Sequence, residues 1–308
     1  MLFDDDLLDK EDWKSMIKDG ESMDMEKFIA KMKELDYANS VFVDCTSSKD
    51  VVKHYLSIVQ SAVSIVTPNK LANSGKYKDY KALQEATNRH HVSFLYETNV
   101  GAGLPVINTL KDLMNSGDEI LKIEAVLSGT LSFIFNSYKS GTQFSSIVKE
   151  AKEKGFTEPD PRDDLSGLDV ARKLLILARE TGMEIDLEDI EVEDILPPSC
   201  KKAKSVDDFF KELEKEDAFF EKKRAEAEKA GGVLRFIATL EKGKAFIALR
   251  TVESTHPFYS LSGSDNIISF TSMRYNDRPL VVKGPGAGAE VTAAGVFAEI
   301  ISISKGMA

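Results

Sequence analysis

The sequence predicts an α/β fold: a parallel-sheet domain followed by an α+β domain with an antiparallel or mixed sheet. Three observations predict it. Short β-branched runs alternate with helical stretches over residues 41–98, the rhythm changes after residue 117, and two hairpin patterns follow in the second half.

The first 40 residues are charged and loosely helical, with little apolar content to anchor them. VFVDC (41–45), SIVTP (64–68) and VSFLYET (92–98) then read as strands, with DVVKHYLSIVQSA and YKDYKALQEATNRH as the helices between them. Strands alternating with helices imply parallel pairing through crossovers. In such sheets ligands sit beyond the carboxyl ends of the strands. That places the chemistry at Thr46 to Ser48, at Asn69 and Lys70, and along Glu97 to Gly103. PVINTLKDLMNSG is a helix ending at Gly117, EILKIEAVLSGT a strand, and SFIFNSYKSG and SSIVKEAKEKG two helices. VDDFFKELEKEDAFFEKKRAEAEKAGG alternates signs and reads as a solvated helical pair. VLRFIATLEKGKAFIALRTVE is a hairpin around Lys242 and Gly243, and NIISFTSMRYNDRPLVVKG a second one turning at Asn276 and Asp277.

With 308 residues the chain can bury a sizeable core. A net charge of −11 offers no basic field for nucleic acid or an anionic membrane, so neither is expected as a partner. No apolar run reaches the roughly 20 residues a bilayer span needs, and the acidic start MLFDDDLLDKEDW is unlike a targeting segment. Cys45 and Cys200 make no disulfide framework. A cytoplasmic location is expected.

GFTEPDPRDDLSGLDVARKLLILARETG (155–182) carries the chemistry. Ser166 to Asp169 matches a capping box and Asp169 with Lys173 an i,i+4 pair, which would suffice for a helix start. Yet Glu158, Asp160, Asp163 and Asp164 precede that helix, more acids than one cap requires. Crowded carboxylates call for a cation, such as a substrate ammonium. Lys70 follows Pro68, which ends its strand, and projects either from the crevice or simply into solvent. Glu97 and the glycines of ETNVGAGLP could turn one carboxylate and several carbonyls onto a hard cation, or merely join the domains. Gly284, Gly286 and Ala289 fit G-x-G-x-x-G/A, but no acidic residue lies about 20 positions on to hold a ribose. A glycine turn feeding a small-residue helix is the better reading there. Neither zinc spacing nor a G-x-S-x-G elbow occurs.

DCTSS, TPNK, ETNVGAGLP, LSGTLSFIF, GFTEPDPRDDLSGLDVARK and GPGAGAEVTAAGVFA occur in that order. Together these resemble homoserine dehydrogenase, particularly the form fused behind aspartokinase, from about Met1 to Ile301. The resemblance implies a Rossmann-like parallel-sheet domain over 1–100, completed by a C-terminal helix over 285–308. It further implies a substrate-binding and dimerisation domain with a mixed sheet over 101–284. The implied reaction is NAD(P)H-dependent reduction of L-aspartate 4-semialdehyde to L-homoserine, on the path to threonine and methionine. It makes Lys173 the proton donor, Asp164 and Asp169 the acids that orient lysine and substrate, and Glu158 the partner of the substrate ammonium. Gly129 and Thr130 line the substrate pocket. Thr46, Ser47, Lys70, Gly155 and Gly286 contact the cofactor, NADP or NAD, with Lys70 also close to the substrate. Glu97 with the backbone of Val100, Ala102 and Leu104 matches a monovalent-cation site, sodium in kind. A homodimer through the central sheet is implied as well. Phe156 stands where some members carry a tyrosine, so a hydroxyl contact to the substrate is expected to be missing.

The chemistry is coherent with that resemblance. Hydride arriving at an aldehyde carbon leaves charge on oxygen, which needs a nearby donor, and a zwitterionic substrate needs both signs in its site. One departure stands out: the sequence starts at MLFDDD, where the family is already past its glycine-rich βαβ unit. A truncated nucleotide domain with weak cofactor binding is therefore expected. Two other readings stay open: a non-catalytic dimerisation and amino-acid-binding fragment, or another semialdehyde dehydrogenase on the same scaffold.

Overall fold

A computed structural model describes residues 1–3 and 13–306. The MLFDDD start and the end of the chain therefore lie partly outside the described residues. Three parallel strands form the first sheet, β1 (Val41–Val43), β2 (Ser64–Val66) and β3 (Phe94–Leu95), in the order β1-β2-β3. Their cores are the β-branched runs read from the sequence, but each strand stops before its polar tail. The crossover after β1 is broken into helices Lys49–Val52 and Tyr55–Val59, and the crossover after β2 is one helix, Tyr77–His90. The parallel register Phe42↔Ile65 and Ile65↔Phe94 puts the ends of β1 and β2 side by side.

The second sheet has six strands in the order β5-β7-β6-β4-β8-β9. They are β4 (Ile120–Val126), β5 (Glu191–Val192), β6 (Gly232–Glu241), β7 (Lys244–Glu253), β8 (Asp265–Ser272) and β9 (Leu280–Pro285). Both expected hairpins form, β6 with β7 and β8 with β9, and β5 joins parallel, so the sheet is mixed. Alternation sorts its faces. Ile123, Ala125, Phe236, Ala238, Ile247, Ile268 and Phe270 point to a layer of helices and share its core. Glu124, Thr239, Phe246 and Ser269 are in register on the opposite face.

Two expectations are corrected. The pair Val206–Lys215 and Asp217–Lys229 is not a purely solvated face, because Phe209, Leu213 and Phe220 are fully buried among the core helices. The four-residue spacing of Phe209 and Leu213 is an apolar stripe that the dense charge around it conceals in sequence, and Phe220 continues the buried side in the next helix. Nor does the Ser166 capping box form. The helix Leu168–Glu180 starts from Gly167, whose φ is +73°, and Ser166 instead accepts from Leu168 N at 3.2 Å. A side chain on Gly167 would press on Phe236 and Val192.

The last helix, Ala289–Gly306, returns to the first sheet. Val296 and Ile303 pack on Val66, and Gly295 sits so close to Thr98 that a Cβ would lie 2.5 Å from its methyl. Thus the strand ends, the Leu168–Glu180 helix and the glycine turn before this last helix converge on one region.

Candidate functional site

The Leu168–Glu180 helix puts Asp169 and Lys173 on one face, as i,i+4 residues must be. Lys173 Nζ lies 2.7 Å from Asp169 Oδ2 and donates to the Leu127 carbonyl at 2.7 Å. Only 11% of the lysine side chain is exposed, so it does not point into bulk water. Burial pulls its pKa down, and Asp169 opposes that shift. An ammonium has three protons and two are engaged here, which leaves one donor for the adjoining cavity. Lys70, at the end of β2, approaches Asp169 from the other domain, Nζ to Oδ1 at 3.3 Å. Burial would raise Asp169, but the two ammonium groups bring it down to about 2. The carboxylate is therefore ionised throughout the neutral range and holds both lysines.

The cavity beside this cluster has a volume of about 640 Å³. Gly129, Thr130, Gly155, Glu158, Asp164, Asp169 and Lys173 all line it. Asp164 is fixed from two sides: Oδ2 accepts from Glu158 N at 2.8 Å, and Oδ1 lies 2.9 Å from the Thr130 hydroxyl. Burial pushes the Asp164 carboxyl up, against those hydrogen bonds. Thr130 begins the Gly129–Ser137 helix, capped by Ser128, and the same hydroxyl lies 2.5 Å from the Phe156 carbonyl. That hydroxyl has one proton, so it serves one acceptor at a time. Asp160 is spent elsewhere, capping the Pro161–Leu165 helix and pairing with Arg162. Asp163 lines the cavity with the rest, so the acid excess seen in sequence is partly structural and partly site.

The remaining expected residues are placed less centrally. Thr46 and Ser47 follow β1 in the first domain and do not line this cavity; in the glycine turn Ala287 and Gly288 line it and Gly286 does not. Gly286 lies against Asn266, where a Cβ would fall 2.1 Å from the amide. The loops at the ends of β1 and β2 are tied together through Asp44. It accepts from Tyr55 Oη at 2.5 Å, Asn69 Nδ2 at 3.1 Å and Thr46 N at 2.7 Å. This prearranged rim, with Thr46 and Ser47 exposed above the buried Asp44, Tyr55 and Asn69, lies at the carboxyl ends of parallel strands and suits a dinucleotide. A cavity of about 680 Å³ next door has an apolar floor and shares Arg172 with the first, but holds none of the carboxylate and lysine cluster.

The Glu97 carboxylate is engaged by backbone. It caps the Ile107–Asn115 helix, accepting from the backbone of Val106, Ile107 and Asn108 at 2.6, 2.7 and 2.8 Å. The carbonyls of Val100 and Ala102 accept no hydrogen bond among the described residues, and both residues are buried. Carbonyl oxygens turned by Gly101 and Ala102, both at positive φ, are donors of the kind a hard cation takes. The donors there that accept no hydrogen bond among the described residues are backbone carbonyls, while the carboxylate already accepts three.

Sequence reading missed Asp44, the Leu127 carbonyl, Arg172 and Arg179, whereas Asn69 was among the strand-end residues it pointed to. The backbone acceptor has no signature at all. The two arginines lie at i and i+7 of the Leu168–Glu180 helix, a spacing that could have marked a second polar face beside that of Asp169 and Lys173.

The family model described as homoserine dehydrogenase matches residues 105–301, and the one described as the NAD-binding domain of homoserine dehydrogenase matches residues 1–97. The chain is 44% identical over 308 residues to the chloroplastic bifunctional aspartokinase/homoserine dehydrogenase 1 of Arabidopsis thaliana, across 99% of this chain and 34% of that protein. It is 45% identical over 272 residues to the homoserine dehydrogenase of Schizosaccharomyces pombe, across 86% of this chain and 72% of that one. It thus spans about a third of the length of the bifunctional relatives it matches. Among solved structures, a Candida auris protein of unknown function shares the fold with a TM-score of 0.89 at 35% identity, over 96% of this chain and 84% of that one. A hyperthermophilic archaeal homoserine dehydrogenase in complex with NADPH aligns with a TM-score of 0.70 at 24% identity, over 96% and 80%, a likeness of fold.

Proposed function

The chain belongs to the homoserine dehydrogenase family, and on that premise we propose that it reduces L-aspartate 4-semialdehyde to L-homoserine with NADPH or NADH. The observation that carries this reading is the buried Lys173 ammonium, held by Asp169 and the Leu127 carbonyl with one proton left over beside a cavity rimmed by Glu158 and Asp164. A bound nicotinamide would supply hydride to the aldehyde carbon. Lys173 gives its free proton to the oxygen as charge develops there, and burial makes it a stronger acid than an exposed lysine. Asp169 keeps it aimed. Glu158 takes the substrate ammonium, while Asp164, Thr130 and Gly129 hold the wall of the pocket. Lys70, on the far side of Asp169, lies where cofactor and substrate meet. Thr46, Ser47, Gly155 and Gly286 are assigned to the cofactor side. Phe156 presents a ring packed on Phe133 at 5.0 Å, so this pocket wall offers no hydroxyl to the substrate there.

The test is substrate discrimination, read as loss of NADPH absorbance. Aspartate semialdehyde is expected to react with a kcat/KM about 100-fold or more above that of succinate semialdehyde, which lacks the ammonium Glu158 would hold. Equal rates would remove the zwitterion from the reading, and no rate with either at saturating NADPH would remove the dehydrogenase.

The carbonyls of Val100, Ala102 and Leu104 with the Glu97 segment are our candidate for a sodium site. The face of the six-stranded sheet turned away from the helices, at the part that Phe258 and Leu261 do not cover, is our candidate for a homodimer contact. Its middle carries Glu124, 94% buried yet ringed by Lys122, Arg250 and His256 at 2.7, 2.9 and 3.5 Å. Phe246 and Val281 flank that cluster on strands β7 and β9. Among the described residues no helix is long and apolar enough to cross a membrane. The two cysteines are free, which supports a reducing compartment and, in our reading, the cytoplasm.

A further inference from the structure

We infer that Arg179 is a positioning residue: its guanidinium clasps the 70–75 turn of the first domain onto the helix of the second, and thereby sets Lys70 against Asp169 and Lys173. The Arg179 side chain has no exposed surface. Nη1 donates to the Asn73 carbonyl at 2.7 Å, and Nη2 to Gly75 at 2.8 Å. Nε and Nη2 also reach the Ile185 carbonyl at 3.1 and 3.0 Å, and Asp186 Oδ1 lies 3.1 Å from Nη2. Tyr80 covers one face of the guanidinium at 5.0 Å. A core arginine with a single ion pair would need none of the carbonyls of another domain.

The turn it grips is one hydrogen-bonded unit that begins at the catalytic region. Ser74 N and Ser74 Oγ both donate to the Lys70 carbonyl, each at 2.8 Å. Arg172 adds a weaker bond to Ser74 Oγ at 3.3 Å, and Asn73 Nδ2 donates to Asn99 Oδ1 at 2.9 Å. Asn73 and Gly75, the residues Arg179 holds, flank Ser74. On the helix side, Asp169 and Arg179 are ten positions apart on one rigid element. The distance between Lys70 and Asp169 is therefore set at one end by their own contact and at the other by the guanidinium fork. Lysine cannot copy that fork, since it carries a point charge rather than fixed parallel donors. A misplacement of about 1 Å at reacting groups costs on the order of 100-fold in rate.

The kinetic arm of the test rests on the homoserine dehydrogenase reading; the exchange arm does not. In the full chain, Arg179→Lys and Arg179→Gln are compared with Leu213→Ala, a core change in the Val206–Lys215 helix that lowers stability elsewhere. Amide hydrogen exchange at Leu71 and Ser74 is expected to be at least about tenfold faster in both Arg179 variants than in Leu213→Ala at equal loss of melting temperature. In line with the cost of misplacement, kcat is expected to fall by roughly 10- to 100-fold, with KM for homoserine changing much less. Exchange no faster than in the control, or a kcat equal to it, overturns the inference. A wild-type chain without turnover would count against the dehydrogenase, and exchange alone would then decide the clasp. If the Arg179 variants do not fold, Ser74→Ala serves instead. Faster exchange at Leu71 supports the unit described, and unchanged exchange refutes it.

Discussion

Asp169 does three things at once. It lies in the first turn of its helix, pairs with Lys173 at 2.7 Å and meets Lys70 from another domain at 3.3 Å. A carboxylate shared by two lysines repels neither, and its ionisation at about 2 means the arrangement persists across the whole range in which an enzyme works. At the same scale, Gly286 has no room for a side chain. Adding a methyl would drive it into the buried Asn266 amide, 2.1 Å away, so Gly286→Ala is expected to cost about 1–3 kcal/mol, as overpacking does. Urea denaturation reads that loss, and an unchanged midpoint would show that the turn yields freely. Of these residues the lysines, Asp169 and the glycine turn were legible in sequence. The Leu127 carbonyl was not, because a backbone acceptor carries no side-chain signal.

Elements bring the residues together. The parallel strands were readable from β-branched runs bounded by polar tails, and the helix Tyr77–His90 from its period. The Leu168–Glu180 helix was readable too, yet its start was misread. Ser166 and Asp169 have the spacing of a capping box, but Gly167 at positive φ takes the cap position, for which sequence spacing alone has no marker. The Ala289–Gly306 helix is tied to the first sheet's domain through Glu299, whose Oε1 accepts from Glu97 N at 2.6 Å. Burial raises the Glu299 carboxyl to about 7, against the help of that hydrogen bond. The folded state then holds a proton that the unfolded chain releases near 4.5. This contribution is complete below pH 4.5 and is lost as pH rises through 7. The melting temperature is expected to fall over that interval in the wild type. Glu299→Gln keeps the acceptor and cannot titrate, so its profile should be flatter. Parallel profiles would mean that another group sets the dependence.

At the scale of the whole molecule, two sheets share one continuous hydrophobic core, and the site lies on the seam where the Leu168–Glu180 helix meets the 70–75 turn. Domain-level alternation made the two-sheet plan visible in sequence. The seam was not, because it depends on Arg179 reaching carbonyls more than a hundred positions away in the chain. An arginine in an apolar helix reads locally as an ion pair with Asp186, which it also is. Likewise the Glu97 carboxylate reads as a cation ligand until the backbone of the following helix claims it. Functional residues contributed as backbone, or through contacts between domains, are the ones that a linear pattern hides.

The central claim is that a sequestered lysine at 173 protonates the nascent alcohol. Its most direct test is the rate of aspartate semialdehyde reduction in wild type and Lys173→Ala across alkaline pH, with circular dichroism confirming the fold. The wild-type rate should decline as pH rises through a value below the ordinary lysine value of 10.5, since burial lowers this one and the acid form does the work. Lys173→Ala should be about 100- to 10,000-fold slower and lack that decline. A folded Lys173→Ala protein that turns over at the wild-type rate would contradict the account.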